Sequence, residues 1–145
     1  MAYTVDKVEM WTGALQDRVG GLAAKLQALA DAGVDLEVVV ARRQAHLPGQ
    51  GLVLLGPIKG AKAQQVATAA GLTKATDLVA LRVEGPNKPG ECYRLTRLLA
   101  DAGINLRGLA AAASGGKFAV SLGFDSDAEA TKAADLLKSA GGKRK

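Results

Sequence analysis

The side chains able to do covalent or acid–base chemistry are few and scattered. His46 is the only histidine, and no Cys, Ser or Asp stands near it at a recognisable motif spacing. Cys92 is the only cysteine, so the chain has neither an intrachain disulfide framework nor a metal knuckle. No Walker-type phosphate loop occurs, and the Gly-Gly pairs at 20–21 and 115–116 fall short of a dinucleotide fingerprint. A catalytic site needs a nucleophile with a base, paired carboxylates or a metal cluster. The expectation is therefore a protein that is not an enzyme and uses no metal and no cofactor.

What remains is recognition chemistry. Asn87 and Asn105 offer both a donor and an acceptor, whereas Asp17 and Asp35 only accept. Gly20 and Gly90 have no side chain, so another molecule can approach the backbone closely. Each opens a helix-like segment, whose first unpaired N–H groups favour an anion. Plainer uses exist for all of them. Asn87 and Asp17 are placed to cap helices, the glycines suit turns, and Asp35 and Asn105 follow helix-ending glycines as connection residues. Cys92 lies in a first helical turn, where a thiol's pKa can fall, but its counterpart in the other copy is Leu22 and it sits on the apolar face, so it reads as packing. Arg42, Arg43 and His46, beside Pro48-Gly49, read as a solvated loop, and Trp11 as a packing residue.

The elements that must position these residues come in two copies. Asp17-Arg18-Val19-Gly20-Gly21-Leu22 and Asn87-Lys88-Pro89-Gly90-Glu91-Cys92 lie seventy positions apart. Both introduce segments that close on Leu-Ala-Asp-Ala-Gly, at 29–33 and 99–103. In the second copy, Val79, Leu81 and Val83 alternate with Ala80, Arg82 and Glu84, which predicts a half-buried strand. Cys92, Leu95, Leu99 and Ala102 share one helix face, and Gly103 stands where a left-handed C-cap is needed. Strands follow at 106–112 and 118–124, joined by Ser114-Gly115-Gly116, and Ser126 with Glu129 forms a capping box ahead of Ala130, Ala133, Ala134 and Leu137. The first copy repeats the order. It has a strand within 3–12, a helix over 20–32 with Leu22, Leu26 and Leu29 inward, strands at 36–41 and 52–55, a helix near 61–70 and a short strand near 73–76. After Ala140 only Gly-Gly-Lys-Arg-Lys remains, so the second copy lacks its last strand. Its strand over 78–84 is then left with an edge that a neighbouring element or another chain must cover.

Composition narrows the class further. Nearly half of the 145 residues are hydrophobic, enough for a packed core, and Ala, Val and Leu dominate them. No secretory signal is visible and no apolar run reaches the roughly 18 residues that a membrane span needs. The expected location is the cytoplasm. The net charge is +5, and setting aside Lys143, Arg144 and Lys145 leaves about +2, too little to argue for nucleic acid on charge alone.

The strand, then Asn87-Lys88-Pro89-Gly90, then a helix ending Leu99-Ala100-Asp101-Ala102-Gly103-Ile104-Asn105-Leu106, resembles an ACT domain. The first half departs from that pattern at Val19, where the usual Pro is missing, and in its longer hairpin loop. Other βαββαβ families fit less well: 106–112 carries no aromatic for RNA stacking, and there is no Cys pair for metal transfer. The resemblance implies an α+β fold of two tandem ferredoxin-like ACT-type units, with antiparallel sheets and helices on one face. The units are expected at 1–76 and 77–140, with a basic tail at 141–145. It also implies a regulatory protein that binds a free amino acid or similar small ligand where two units align. One site would join Asn87, Pro89 and Gly90 to Asp35; the other would join Asp17 and Gly20 to Asn105. The implied partners are that ligand, a second copy of the chain and a regulated enzyme, with no membrane and no nucleic acid. Two alternatives stay open: an assembly module with degenerate ligand sites, and a weak nucleic-acid binder acting through Lys59, Lys62, Lys74 and the tail.

Overall fold

The computed structural model describes residues 3–143, without the side chains of 141–143. Its elements in chain order are β1 Thr4–Val8, β2 Trp11–Gln16, α1 Gly21–Asp31, β3 Val38–Arg43, β4 Gln50–Gly56, α2 Ala61–Ala69, β5 Thr73–Lys74, β6 Val79–Pro86, α3 Glu91–Asp101, β7 Gly108–Ser114, β8 Lys117–Phe124 and α4 Asp127–Lys143. Two compact units result: residues 9–75 form one, and residues 1–8 with 76–145 form the other. Their sheets run β3-β4-β2-β5 and β1-β6-β8-β7, and every pairing is antiparallel. The fold is α+β, two ferredoxin-like units in one chain.

The expected strand within 3–12 is two strands that part company at Glu9. β2 opens the sheet of the first unit, while β1 pairs with β6 from Thr4 opposite Glu84 to Val8 opposite Ala80. β1 thus stands where β5 stands in the other unit, beside the first strand of the βαββαβ order. The apparently missing last strand of the second copy is supplied by the start of the chain, and the edge of β6 is covered. Residues 1–8 accordingly belong with the second unit and not with a unit spanning 1–76.

Period-two alternation carries the core. Phe118, Val120, Leu122 and Phe124 on β8 are buried, facing the same side as Leu81 and Val83 of β6 and Val5 of β1. Leu95 and Leu99 of α3 and Ala130, Ala133 and Leu137 of α4 close over them. Trp11, Leu15, Leu29, Val53, Leu55 and Leu72 do the same in the other unit. Each fully buried aliphatic or aromatic side chain contributes roughly 1.5–3 kcal/mol.

The repeat shows again at the helix ends. Gly33 and Gly103 have φ of 72° and 75°, and after each the chain makes the same pair of bonds. Gly33 N–H donates to Ala30 and Val34 N–H to Leu29; Gly103 N–H donates to Ala100 and Ile104 N–H to Leu99. These are Schellman motifs, which satisfy the last helical carbonyls. Ser126 Oγ accepts the Glu129 N–H at 3.2 Å, as the capping-box reading requires. Leu22 differs from its expected inward position and is exposed. Of the expected tail, residues 141–143 continue α4, and Arg144 and Lys145 lie outside the described residues. Among the described residues no helix is long and apolar enough to cross a membrane, and no group of His, Cys, Asp and Glu side chains could hold a metal.

Candidate functional site

The loop between β6 and α3 builds the site. The N-cap of α3 is Gly90, in the left-handed region at φ 86°, and no side chain caps the helix. Asn87 is therefore not the cap that its position suggests; its backbone N–H bonds to Gly116 O and its side chain is left to other uses. Intrahelical bonding begins with Arg94 N–H to Gly90 O, so the N–H groups of Cys92 and Tyr93 have no intrahelical acceptor. Both residues line an open pocket of about 260 Å³ between the start of α3 and β7. Asn87, Lys88, Gly90 and Glu91 line it from the same side, and Ala111, Ala112, Ala113 and Phe118 from the sheet.

Glu91 is a charged residue of the site outside the expected set of Asn87, Pro89 and Gly90. Its side chain is 3% exposed, and the inward face of α3 is Glu91-Leu95-Leu99, not one that begins at Cys92. Cys92 is exposed and is not core packing. A buried carboxylate needs partners, and Glu91 has them. Tyr3 Oη donates to Oε2 at 2.8 Å, and Arg94 donates to Oε1, from Nε at 2.9 Å and also from Nη2. The same Arg94 Nη2 donates to Pro89 O at 3.0 Å, which ties the loop to the helix. Tyr3 stacks edge-on against Phe118, ring centroids 6.2 Å apart. Both rings lie over Gly85, where a Cβ would meet them at 2.8 and 2.9 Å, so only glycine fits. One network therefore holds the N-terminal segment, the loop and the floor of the pocket.

The corresponding loop of the other unit keeps the backbone and loses the network. Gly20 caps α1 at φ 82°, and Ala24 N–H bonds to Gly20 O. Where Glu91 stands in one unit, Gly21 stands in the other, and a Cβ there would lie 2.2 Å from Gln16 O. Asp17 is engaged by Arg43, whose Nε donates to Oδ2 at 2.6 Å.

Asn87, Pro89 and Gly90 thus share one loop, and Asp17 and Gly20 share its counterpart. Asn105 is exposed just beyond α3, where its Oδ1 accepts the Leu106 N–H, and Asp35 is exposed just beyond α1. Within a unit, the length of an eleven-residue helix, ~16 Å, separates each loop from the residue beyond the helix. No single unit can bring the two together. The sequence offered no route to Tyr3, Glu91, Arg94 or the alanines of β7 as site residues, apart from an acidic residue in a first helical turn.

No family model matches the sequence, and comparison with curated proteins finds no match. The fold has close counterparts among solved structures. A Bacteroides thetaiotaomicron protein aligns at a TM-score of 0.73 and 17% identity, over 95% of this chain and 90% of that one. The regulatory subunit of aspartate kinase from Thermus thermophilus, in a ligand-free form, aligns at 0.67 and 16%, over 97% of each chain. Aspartate kinase from Synechocystis aligns at 0.63 and 20%, over 99% of this chain but 27% of that one. These identities speak for the fold alone. This chain has a tandem ACT-type fold.

Proposed function

We propose that the protein is a non-catalytic regulatory module that binds a free amino acid at the β6–α3 loop. The observation that carries this reading is the pocket beside two helix N–H groups without intrahelical acceptors, its loop pinned by a satisfied buried carboxylate. The N–H groups and Lys88 suit the ligand's carboxylate, and Asn87 has an acceptor for its ammonium. Regulation of a separate enzyme is the natural use of such a module, in keeping with the regulatory subunits that share its fold.

Thermal shift against the twenty amino acids tests the reading. A ligand at a hundred times its Kd stabilises the fold by about 2.7 kcal/mol. Asn87→Ala should remove that shift and leave the unliganded protein unchanged, because Asn87 caps nothing. Gly90→Val is a poorer probe, since φ 86° strains any L side chain and its Cβ would lie 3.3 Å from Arg94. If no amino acid raises the melting temperature, or the shift survives Asn87→Ala, the assembly reading takes over. That alternative has its own support: β7 is a sheet-edge strand of seven uncharged residues, all exposed.

A further inference from the structure

We infer that the ligand of the α3–β7 pocket carries a short aliphatic side chain, and that each chain has one such site, because the equivalent place in residues 9–75 is walled by arginine. The inference rests on the amino-acid reading and narrows it.

The pocket, about 260 Å³, is below the ~300–1,000 Å³ usual for ligand sites and suits a small ligand. Its polar and apolar parts are separated. Lys88, Asn87 and the first turn of α3 supply the polar end. Across from them stand Ala111, Ala113 and Phe118. Ala111 pairs with Val120 and Ala113 with Phe118, so both alanines project on the helix-covered side of the sheet, beside buried apolar residues. No charged side chain lines that wall. The carboxylate that does line the pocket, Glu91, is already bonded to Tyr3 and Arg94. A ligand side chain ending in an ammonium or carboxylate meets no partner on that wall, whereas an aliphatic one covers apolar surface there.

The counterpart wall differs in kind. At the same seventy-residue offset, Ala41, Arg42 and Arg43 stand where Ala111, Ala112 and Ala113 do. Ala41 pairs with Val53 and Arg43 with Gly51, so Arg43 lies on the helix-covered side, as Ala113 does. Its guanidinium sits on Asp17, the carboxylate that a ligand ammonium would use. Gly21 leaves that loop with no room for a side chain like Glu91. The equivalent place is thus charged and internally paired.

Calorimetric titration of the full chain with valine, leucine, lysine and aspartate tests this. Valine or leucine should bind at one per chain, about tenfold or more tighter than lysine or aspartate, the discrimination that small differences in an apolar pocket can supply. Ala113→Arg, which copies the other unit at an exposed position, should weaken that binding about tenfold with the unliganded melting temperature unchanged. Arg43→Ala should leave affinity and stoichiometry unaltered. Tighter, Asn87-dependent binding of lysine or aspartate would overturn the aliphatic assignment and leave the amino-acid reading standing. Two molecules per chain, or loss of binding in Arg43→Ala, would overturn the single site. Absence of Asn87-dependent binding by any of the twenty amino acids would instead sink the underlying reading.

Discussion

A carboxylate buried at the start of α3 is worth keeping only if its neighbours are worth more with it than without. Glu91 satisfies the Tyr3 hydroxyl and orients Arg94, which in turn holds Pro89 O. Removing the carboxylate leaves a buried hydroxyl and a half-exposed guanidinium without these bonds. Glu91→Ala should therefore cost about 2 kcal/mol, and Tyr3→Phe about 1 kcal/mol, read from urea denaturation. The double variant should cost less than the sum, since the two singles remove one shared bond. Full additivity would mean that the Tyr3–Glu91 bond contributes nothing. The face containing Glu91 was hard to read in the sequence for a plain reason. Cys92-Leu95-Leu99 and Glu91-Leu95-Leu99 are equally helical spacings, and a rule that puts apolar residues inside chooses the cysteine. What overrides the rule is Tyr3, 88 residues away, which no local pattern connects to α3.

At the scale of elements, the pairing of β1 with β6 explains how one unit can be interrupted by another. Val8 lies opposite Ala80, so β1 and β6 are the two arms of an antiparallel hairpin whose connection contains the whole of 9–75. The inserted unit brings its own ends together: Trp11 pairs with Lys74, and Ala75 N–H bonds to Met10 O at 2.9 Å. Replacing residues 9–79 by Asn-Gly, which suits a tight hairpin, should give a folded unit with cooperative unfolding. Residues 76–145 alone should not fold, because they lose Tyr3 and Val5 from the core at roughly 1.5–3 kcal/mol each and expose the edge of β6. Near-ultraviolet dichroism and amide dispersion distinguish the two outcomes, and native-like spectra from 76–145 alone would refute the role given to β1. Strand periodicity, the Leu-Ala-Asp-Ala-Gly helix ends and the Ser126 cap were legible because they are local. The partner of β6 was not, because period-two patterning says which face of a strand is buried and is silent on which strand lies beside it.

The charge of the whole molecule bears on what it can be steered toward. The net +5 invites a nucleic-acid reading, but seven of the nineteen Lys and Arg residues form ion pairs among the described residues. Lys7 pairs with Asp127, Arg43 with Asp17, Lys74 with Glu9, Arg82 with Glu84, Arg94 with Glu91, Arg97 with Asp101, and Arg107 with Asp77. Lys74, one of the three lysines that would have had to act together, is thus paired with Glu9, while Lys59 and Lys62 have no ion pair among the described residues. The β1-β6-β8-β7 sheet offers base stacking no platform either. On the face of the β1-β6-β8-β7 sheet away from its helices, the register places Ala80, Arg82, Glu84, Ala119, Ser121 and Gly123 on the two central strands, with no ring among them. The large exposed aromatic is Tyr93, on α3. Single strands need both a basic track and stacked rings to be held at physiological salt. Lys59, Lys62 and the three basic tail residues offer at most five phosphate contacts, so any binding to single-stranded DNA through them should fall with a log–log salt slope no steeper than about −3.5 and weaken strongly toward 150 mM salt. Fluorescence anisotropy across a salt series measures this directly. Binding that persists at about 200 mM, or a slope much steeper than about −3.5, would mean that a basic surface outweighs these ion pairs and would restore the nucleic-acid alternative.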